Sequence, residues 1–344
     1  MFHLLAYLIR HRHRVASTTE LLTQLWPGQV VTTSSLTRCV VKARKALRNT
    51  GSQQLIQNHY GHGYRFVAET GVKTALIHGQ TRNHSNRWQR QPPSNPAAYD
   101  YYLRAAESIF RFTPEDQAVA RQMYEHAIAL DQHYAAAYAG LAWTYWLEWS
   151  WFWNQDPRLL EQALTFAQQA VSLDDSLPFA HLTLGYVYLF KRQYTQAIAK
   201  AEHSIHLDQG YAWGYGMLAD MQTAVGRPQE AIVLIEKAMQ LEPQSAGYFS
   251  ASLGLAYRAL GQCDEAIAAV RRTLTRNPCV VSARLLLTIL YSETHRQKEA
   301  RQELARLRQQ LPQLSREGLR QRFPYQDHAE TERVLTALCK AGLR

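Results

Sequence analysis

A chain of 344 residues with 46% apolar content has room for two or three domains and enough apolar side chains to bury real cores, which excludes a disordered chain. Its formal charge of +10 is unevenly placed, since residues 1–96 hold thirteen Lys/Arg against Glu20 and Glu69 alone, leaving the remainder nearly neutral. That polarity predicts an acidic partner for the first third, nucleic acid before membrane, and a different job for the rest.

In chain order, Phe2, Leu4, Leu5, Leu8 and Ile9 are spaced as the buried face of a helix. Ser17-Thr18-Thr19-Glu20 is a capping-box pattern, in which a hydroxyl and the glutamate three residues on satisfy free backbone amides. It opens a second helix with Leu21, Leu22, Leu25 and Trp26 inward, broken by Pro27-Gly28. The segment Thr33–Arg48 then carries two faces. Leu36, Val40, Ala43 and Leu47 form one apolar stripe, and Arg38, Lys42, Arg44, Lys45 and Arg48 leave the other side cationic. Such a helix fits the major groove of DNA, where lysine and arginine meet phosphates and the acceptor edge of guanine; the plainer alternative is a solvated charged face. Leu55–His59, Tyr60-Gly61-His62-Gly63 and Tyr64–Val67 are two short runs of β-formers around a glycine-rich turn, a hairpin signal.

Taken together, LLAYLIRHR, STTELLTQLWP, VVTTSSLTRCVVKARKAL and GHGYRF resemble the OmpR/PhoB-type winged-helix DNA-binding domain over residues 1–67. The resemblance implies a winged helix-turn-helix of three helices and a β-hairpin wing, bound to double-stranded DNA through its third helix in the major groove and its wing in the minor groove. By position, Thr37, Arg38, Val41 and Lys42 match base- and backbone-facing sites, Ser35, Arg44 and Lys45 match phosphate-contacting ones, and His59, Tyr60 and His62 belong to the wing. Tyr60 and His62 stand where the family usually carries basic residues, so minor-groove attraction is expected to be weaker at neutral pH. The family's domain begins with a small β-sheet, whereas Met1 stands directly against the first helix; the expectation is that this start is internal to a longer reading frame.

Residues 68–96 are polar and basic, lack a sustained period and end in prolines, as a flexible linker does; its random-coil span is about 30 Å. Beyond it, Ala197, Ala231, Ala266 and Ala300 recur in steps of 34, 35 and 34 residues, with Gly185, Ala219 and Gly254 in phase. Small residues at two fixed places in a 34-residue period mean closely packed helix pairs. The region 97–344 resembles a tetratricopeptide-repeat (TPR) superhelix, an α-solenoid. Six pairs are expected, over 97–131, 134–174, 177–208, 210–242, 245–277 and 279–311, followed by an amphipathic C-terminal helix capping the end of the array. Between Ala120 and Ala163 the step is 43, and the surplus falls at Trp146–Trp153, an aromatic insertion that is either a hydrophobic plug or an exposed anchor. First helices of such pairs line a concave groove for a protein or peptide partner, with Trp151, Trp153, Tyr188 and Trp213 as candidate contacts.

No Walker-type loop, HExxH motif or nucleophile elbow occurs, so neither an enzyme nor a cofactor is expected. His203 and His206 lie one helical turn apart, but no third ligand suggests a metal site. No apolar run reaches the roughly 18 residues of a membrane helix, no charged-then-apolar leader opens the chain, and four cysteines without CxxC spacing read as small buried hydrophobes. The expectation is a cytoplasmic, DNA-binding transcriptional regulator whose repeats bind a partner. The rivals are an adaptor with a non-binding N-terminal domain and the regulatory half of a signalling enzyme.

Overall fold

The computed structural model describes residues 95–109 and 113–343 and, toward the N-terminus, 4, 7–8, 15–25, 35–37, 39–41, 43, 56–59 and 63–66. The chain divides into two compact units, 1–79 and 80–344.

In the first unit, Ser17 and Glu20 form the expected capping box. The Ser17 hydroxyl accepts from the Glu20 amide at 3.1 Å, and the Glu20 carboxylate accepts from the Ser17 amide at 3.3 Å. This starts helix α1 (Thr18–Leu25). The hairpin is formed by β2 (Ile56–His59) and β3 (Gly63–Phe66), antiparallel with Ile56 opposite Phe66 and His59 opposite Gly63. A two-residue strand, β1 (Ala16–Ser17), pairs with β3 and makes a three-stranded sheet of order β1-β3-β2. Two residues are too short to alternate visibly, so sequence patterning cannot show β1. Leu4, Leu8, Ala16, Leu21, Leu36, Val40, Ala43 and Ile56 are each at most 1% exposed and form this unit's core.

The second unit contains six helix hairpins, close to the expected spans. They are α2 (Pro96–Ile109) with α3 (Pro114–Leu130), α4 (Ala135–Ser150) with α5 (Arg158–Leu173), and α6 (Pro178–Phe190) with α7 (Tyr194–Leu207). Then follow α8 (Ala212–Ala224) with α9 (Pro228–Leu241), α10 (Ala246–Ala259) with α11 (Cys263–Arg276), and α12 (Val281–Glu293) with α13 (Gln297–Gln310). First helices also touch one another, α4 on α6, α6 on α8, α8 on α10 and α10 on α12, so they form an inner layer.

Local chemistry fixes both kinds of joint. Between hairpins, Asp131, Asp174, Asp208 and Asn277 each accept, through the side-chain oxygen, the amide two residues on, at 2.9–3.0 Å. These Asx turns halt one helix and aim the next. Within hairpins, the turn after the first helix needs a residue at positive φ. Gly226 (82°) and Gly261 (77°) supply it cheaply, whereas Phe152 (61°), Arg192 (59°) and His295 (60°) do so against steric cost.

Gly254 is forced by packing. A Cβ there would lie 2.5 Å from Val270 Cγ2 and 3.1 Å from the Ala266 carbonyl oxygen. Gly254→Ala is therefore expected to destabilise by about 1–3 kcal/mol, seen as a lower urea midpoint at unchanged slope.

The C-terminal segment does more than cap the array. Helix α15 (His328–Ala341), opened by Asp327 and closed by Gly342 in the left-handed region, packs on α12 and α13 as expected. Before reaching that position the chain returns along the inner helices through α14 (Arg316–Arg322). Arg322 Nε donates to the Trp149 carbonyl at 2.7 Å, Arg192 Nη1 to the Tyr325 carbonyl at 3.1 Å, and the Gln326 amide to the Ala224 carbonyl at 2.9 Å. This strap thus touches the C-terminal ends of α4, α6 and α8 in turn. Among the described residues no helix is long and apolar enough to cross a membrane.

Candidate functional sites: a two-faced helix and an aromatic cavity

Residues 35–37, 39–41 and 43 are helical. Leu36, Val40 and Ala43 are 1%, 1% and 0% exposed, while Val41 is 56% exposed. Thr37 is also exposed and Ser35 half-buried, so the helix has a core side and an outer side in the register the sequence predicts. His59 ends β2. Arg38, Lys42, Arg44, Lys45, Tyr60 and His62 lie outside the described residues, and their roles rest on sequence spacing. The Tyr7 hydroxyl donates to Glu20, tying the segment before β1 to α1.

The inner face of the repeats encloses a second candidate site. A cavity of about 310 Å³ lies between the first helices and the strap. Trp151 and Trp213 of the four candidate contacts line it, and Trp153 and Tyr188 do not. Trp151 is 9% exposed and Phe152 6%, and the half-buried Trp153 packs edge-on to Trp151, so the aromatic insertion is mainly packing. The reason is the strap, because the Arg322 guanidinium stacks over the rings of Trp149 at 4.7 Å and Phe152 at 4.4 Å.

The cavity wall also holds groups that sequence inspection missed. Among the lining residues only Asp220 and Arg322 are charged. Asp220 accepts a hydrogen bond from the Tyr186 hydroxyl, and burial raises its carboxyl above the ordinary range against the opposing effect of bonds from Tyr186 and Ser252. Burial lowers Arg322 to about 10. The available signals were weak: one acid in the apolar run AWGYGMLADMQTA, and one arginine in a tail whose path is set by distant residues.

His203 does acquire partners, though not in the way its spacing from His206 suggested. Its ring packs edge-on to His181 at 4.4 Å between centroids, and Asp175 lies beside them. His181 is 1% exposed, and its Nε2 meets the Asp175 carbonyl at 2.8 Å. Burial, with help from Lys200 and His203, lowers its pKa from 6.5. A depressed histidine contributes stability above its unfolded pKa and loses it as pH falls through the folded one. Between pH 7 and 5 the thermal midpoint should accordingly drop more for the wild type than for His181→Gln; equal drops would assign the acid sensitivity elsewhere. The cysteines depart from expectation: Cys279 is exposed and Cys39, Cys263 and Cys339 half-buried, all as free thiols.

Comparison with known proteins finds relatives of both units. Residues 1–66 match the family described as transcriptional regulatory protein, C terminal. A putative adenylate cyclase 3 of Rhizobium meliloti (strain 1021) is 33% identical over 134 residues, 39% of this chain and 22% of the relative, so the chain spans about a fifth of that protein. Among solved structures, a thermophilic TPR protein of Thermus thermophilus is 17% identical with a TM-score of 0.46, covering 56% of this chain and 98% of its own. YrrB, a TPR protein with an unusual peptide-binding site, is 21% identical with a TM-score of 0.33, covering 55% of this chain and 93% of its own. Residues 1–66 thus match an OmpR/PhoB-type transcriptional-regulator domain, and the residues from 95 on fold as a TPR-like helical solenoid.

Proposed function

We propose that this chain is a DNA-binding transcriptional regulator, with residues 1–66 docking on duplex DNA and the solenoid receiving a protein partner. The carrying observation is the helix that buries Leu36, Val40 and Ala43 and turns Thr37 and Val41 outward. An exposed valine beside a threonine suits contact with a thymine methyl group, and the cations Arg38, Lys42, Arg44 and Lys45 within the same run suit phosphate and guanine. The reading assigns no catalytic step and no cofactor to the chain.

Fluorescence anisotropy of the full chain with duplex DNA, titrated from 50 to 200 mM salt, is the test. The logarithm of the binding constant should fall linearly with the logarithm of salt concentration. Lys45→Ala should weaken binding on every sequence and flatten the slope by about one unit, whereas Arg38→Ala should cost about 1–3 kcal/mol mainly at the preferred site. Equal losses on random and preferred DNA for both would refute that division of labour, and a folded chain without salt-dependent binding would overturn the reading.

The similarity to a putative adenylate cyclase supports a second reading, in which the chain serves as the regulatory part of a signalling protein rather than as a DNA-binding regulator. The same titration separates the two.

A further inference from the structure

The cavity between the inner helices and the strap is built for something smaller than a protein. Its volume of about 310 Å³ sits at the low end of the roughly 300–1,000 Å³ typical of small-molecule pockets. Its walls are mostly aromatic and aliphatic, and its two charged members carry opposite signs. Neither has an ionic partner among the described residues: Asp220 is bonded by hydroxyls, and Arg322 donates to the carbonyls of Trp149 and Gly318. A third polar group faces the same problem, since the buried indole Nε1–H of Trp146, also on the wall, has no hydrogen-bond partner.

Trp146 precedes Trp149 by one helical turn of α4, and Trp149 is the ring on which Arg322 rests. Arg322 thus sits at the end of α4, while Asp220 comes from α8, and the Trp146 ring packs edge-on to Tyr186, the partner of Asp220, with centroids 4.9 Å apart. A purely apolar ligand would leave the Trp146 N–H unbonded and both charged groups, hydrogen-bonded though they are, without a counter-charge; a monocation would leave Arg322 uncompensated, and a monoanion would leave Asp220 so. A molecule bearing both charges on an apolar body satisfies each of them.

We propose that the solenoid cavity binds a small apolar zwitterion, an unblocked amino acid or short peptide. Its ammonium is held by Asp220 with aromatic faces around it, and its carboxylate by Arg322, with the Trp146 N–H as a further donor on the wall. This site is separate from the DNA-binding reading and does not depend on it.

The test is calorimetric titration of the full chain with L-phenylalanine, L-leucine and the dipeptide Leu-Phe, each beside its N-acetyl and C-terminal amide forms. At least one unblocked probe should bind, and blocking either charge should weaken it at least tenfold. Asp220→Asn should weaken the unblocked probe at least tenfold while leaving the N-acetylated form unchanged, a pattern that general loss of structure does not produce. Arg322→Lys, which keeps the charge, should retain the preference for a free carboxylate. Blocked forms binding as tightly as their parents would overturn the proposal, as would no heat from any unblocked probe on a chain that circular dichroism shows to be folded.

Discussion

Replacing Arg38, Lys42, Arg44 and Lys45 together by alanine is expected to lower affinity for the preferred duplex by about 10³-fold or more, with the helical content of the chain unchanged. Two of the four residues are assigned to base edges, where a good contact is worth about 1–3 kcal/mol. The other two are assigned to phosphate, where each neutralised contact contributes about 0.9 to the salt slope, so the slope should flatten by about two units. The fold should tolerate the change, because the core side of this helix is Leu36, Val40 and Ala43, none of which is altered. Anisotropy at two salt concentrations reads the result. A quadruple variant that binds like the wild type at both would remove this helix from the interface.

The second large effect concerns stability. Arg258 is 1% exposed, and its guanidinium bonds Glu293 in a two-pronged grip at 2.8 and 2.6 Å while its other arm meets Glu330 on α15. Truncation to alanine leaves two carboxylates, 19% and 22% exposed, facing each other without their counterion. Breaking a buried pair this way costs about 3–5 kcal/mol, which for a unit of this size lowers the thermal midpoint on the order of 10 °C. Arg333 reaches the same two acids from a half-exposed position, at 3.5 and 3.2 Å, and will offset a part. Converting Glu293 and Glu330 to glutamine in the Arg258→Ala background should recover much of the loss, because the penalty is the stranded charge. A single variant melting within about 1 °C of wild type would show that the triad does not hold α15.

What the sequence discloses and what it hides divide by the range of the interaction. The capping box at Ser17 and Glu20 is legible because its partners are three residues apart. The hairpins are legible because small residues recur near a 34-residue period, Gly185, Ala219 and Gly254 on first helices and Ala197, Ala231, Ala266 and Ala300 on second ones, so one local rule is printed several times. The strap is hidden because its contacts are single events between distant residues: Arg322 with Trp149, Arg192 with Tyr325, Gln326 with Ala224. No periodicity announces them. The same blindness conceals the cavity, whose charged pair comes from α8 and α14, and explains why the tryptophan-rich insertion admits two readings until Arg322 is seen resting on it.

The strap also acts as a ruler. An open solenoid can gain or lose one unit with little consequence, because each unit meets only its neighbours. Here a return segment of fixed length must reach Trp149, Arg192 and Ala224 from the far side of α13, and the costly left-handed residues Phe152 and Arg192 stand where it is gripped. Duplicating or excising the hairpin α8–α9 is therefore expected to put that segment out of step with its anchors and to cost more stability than the change of one unit in an open array.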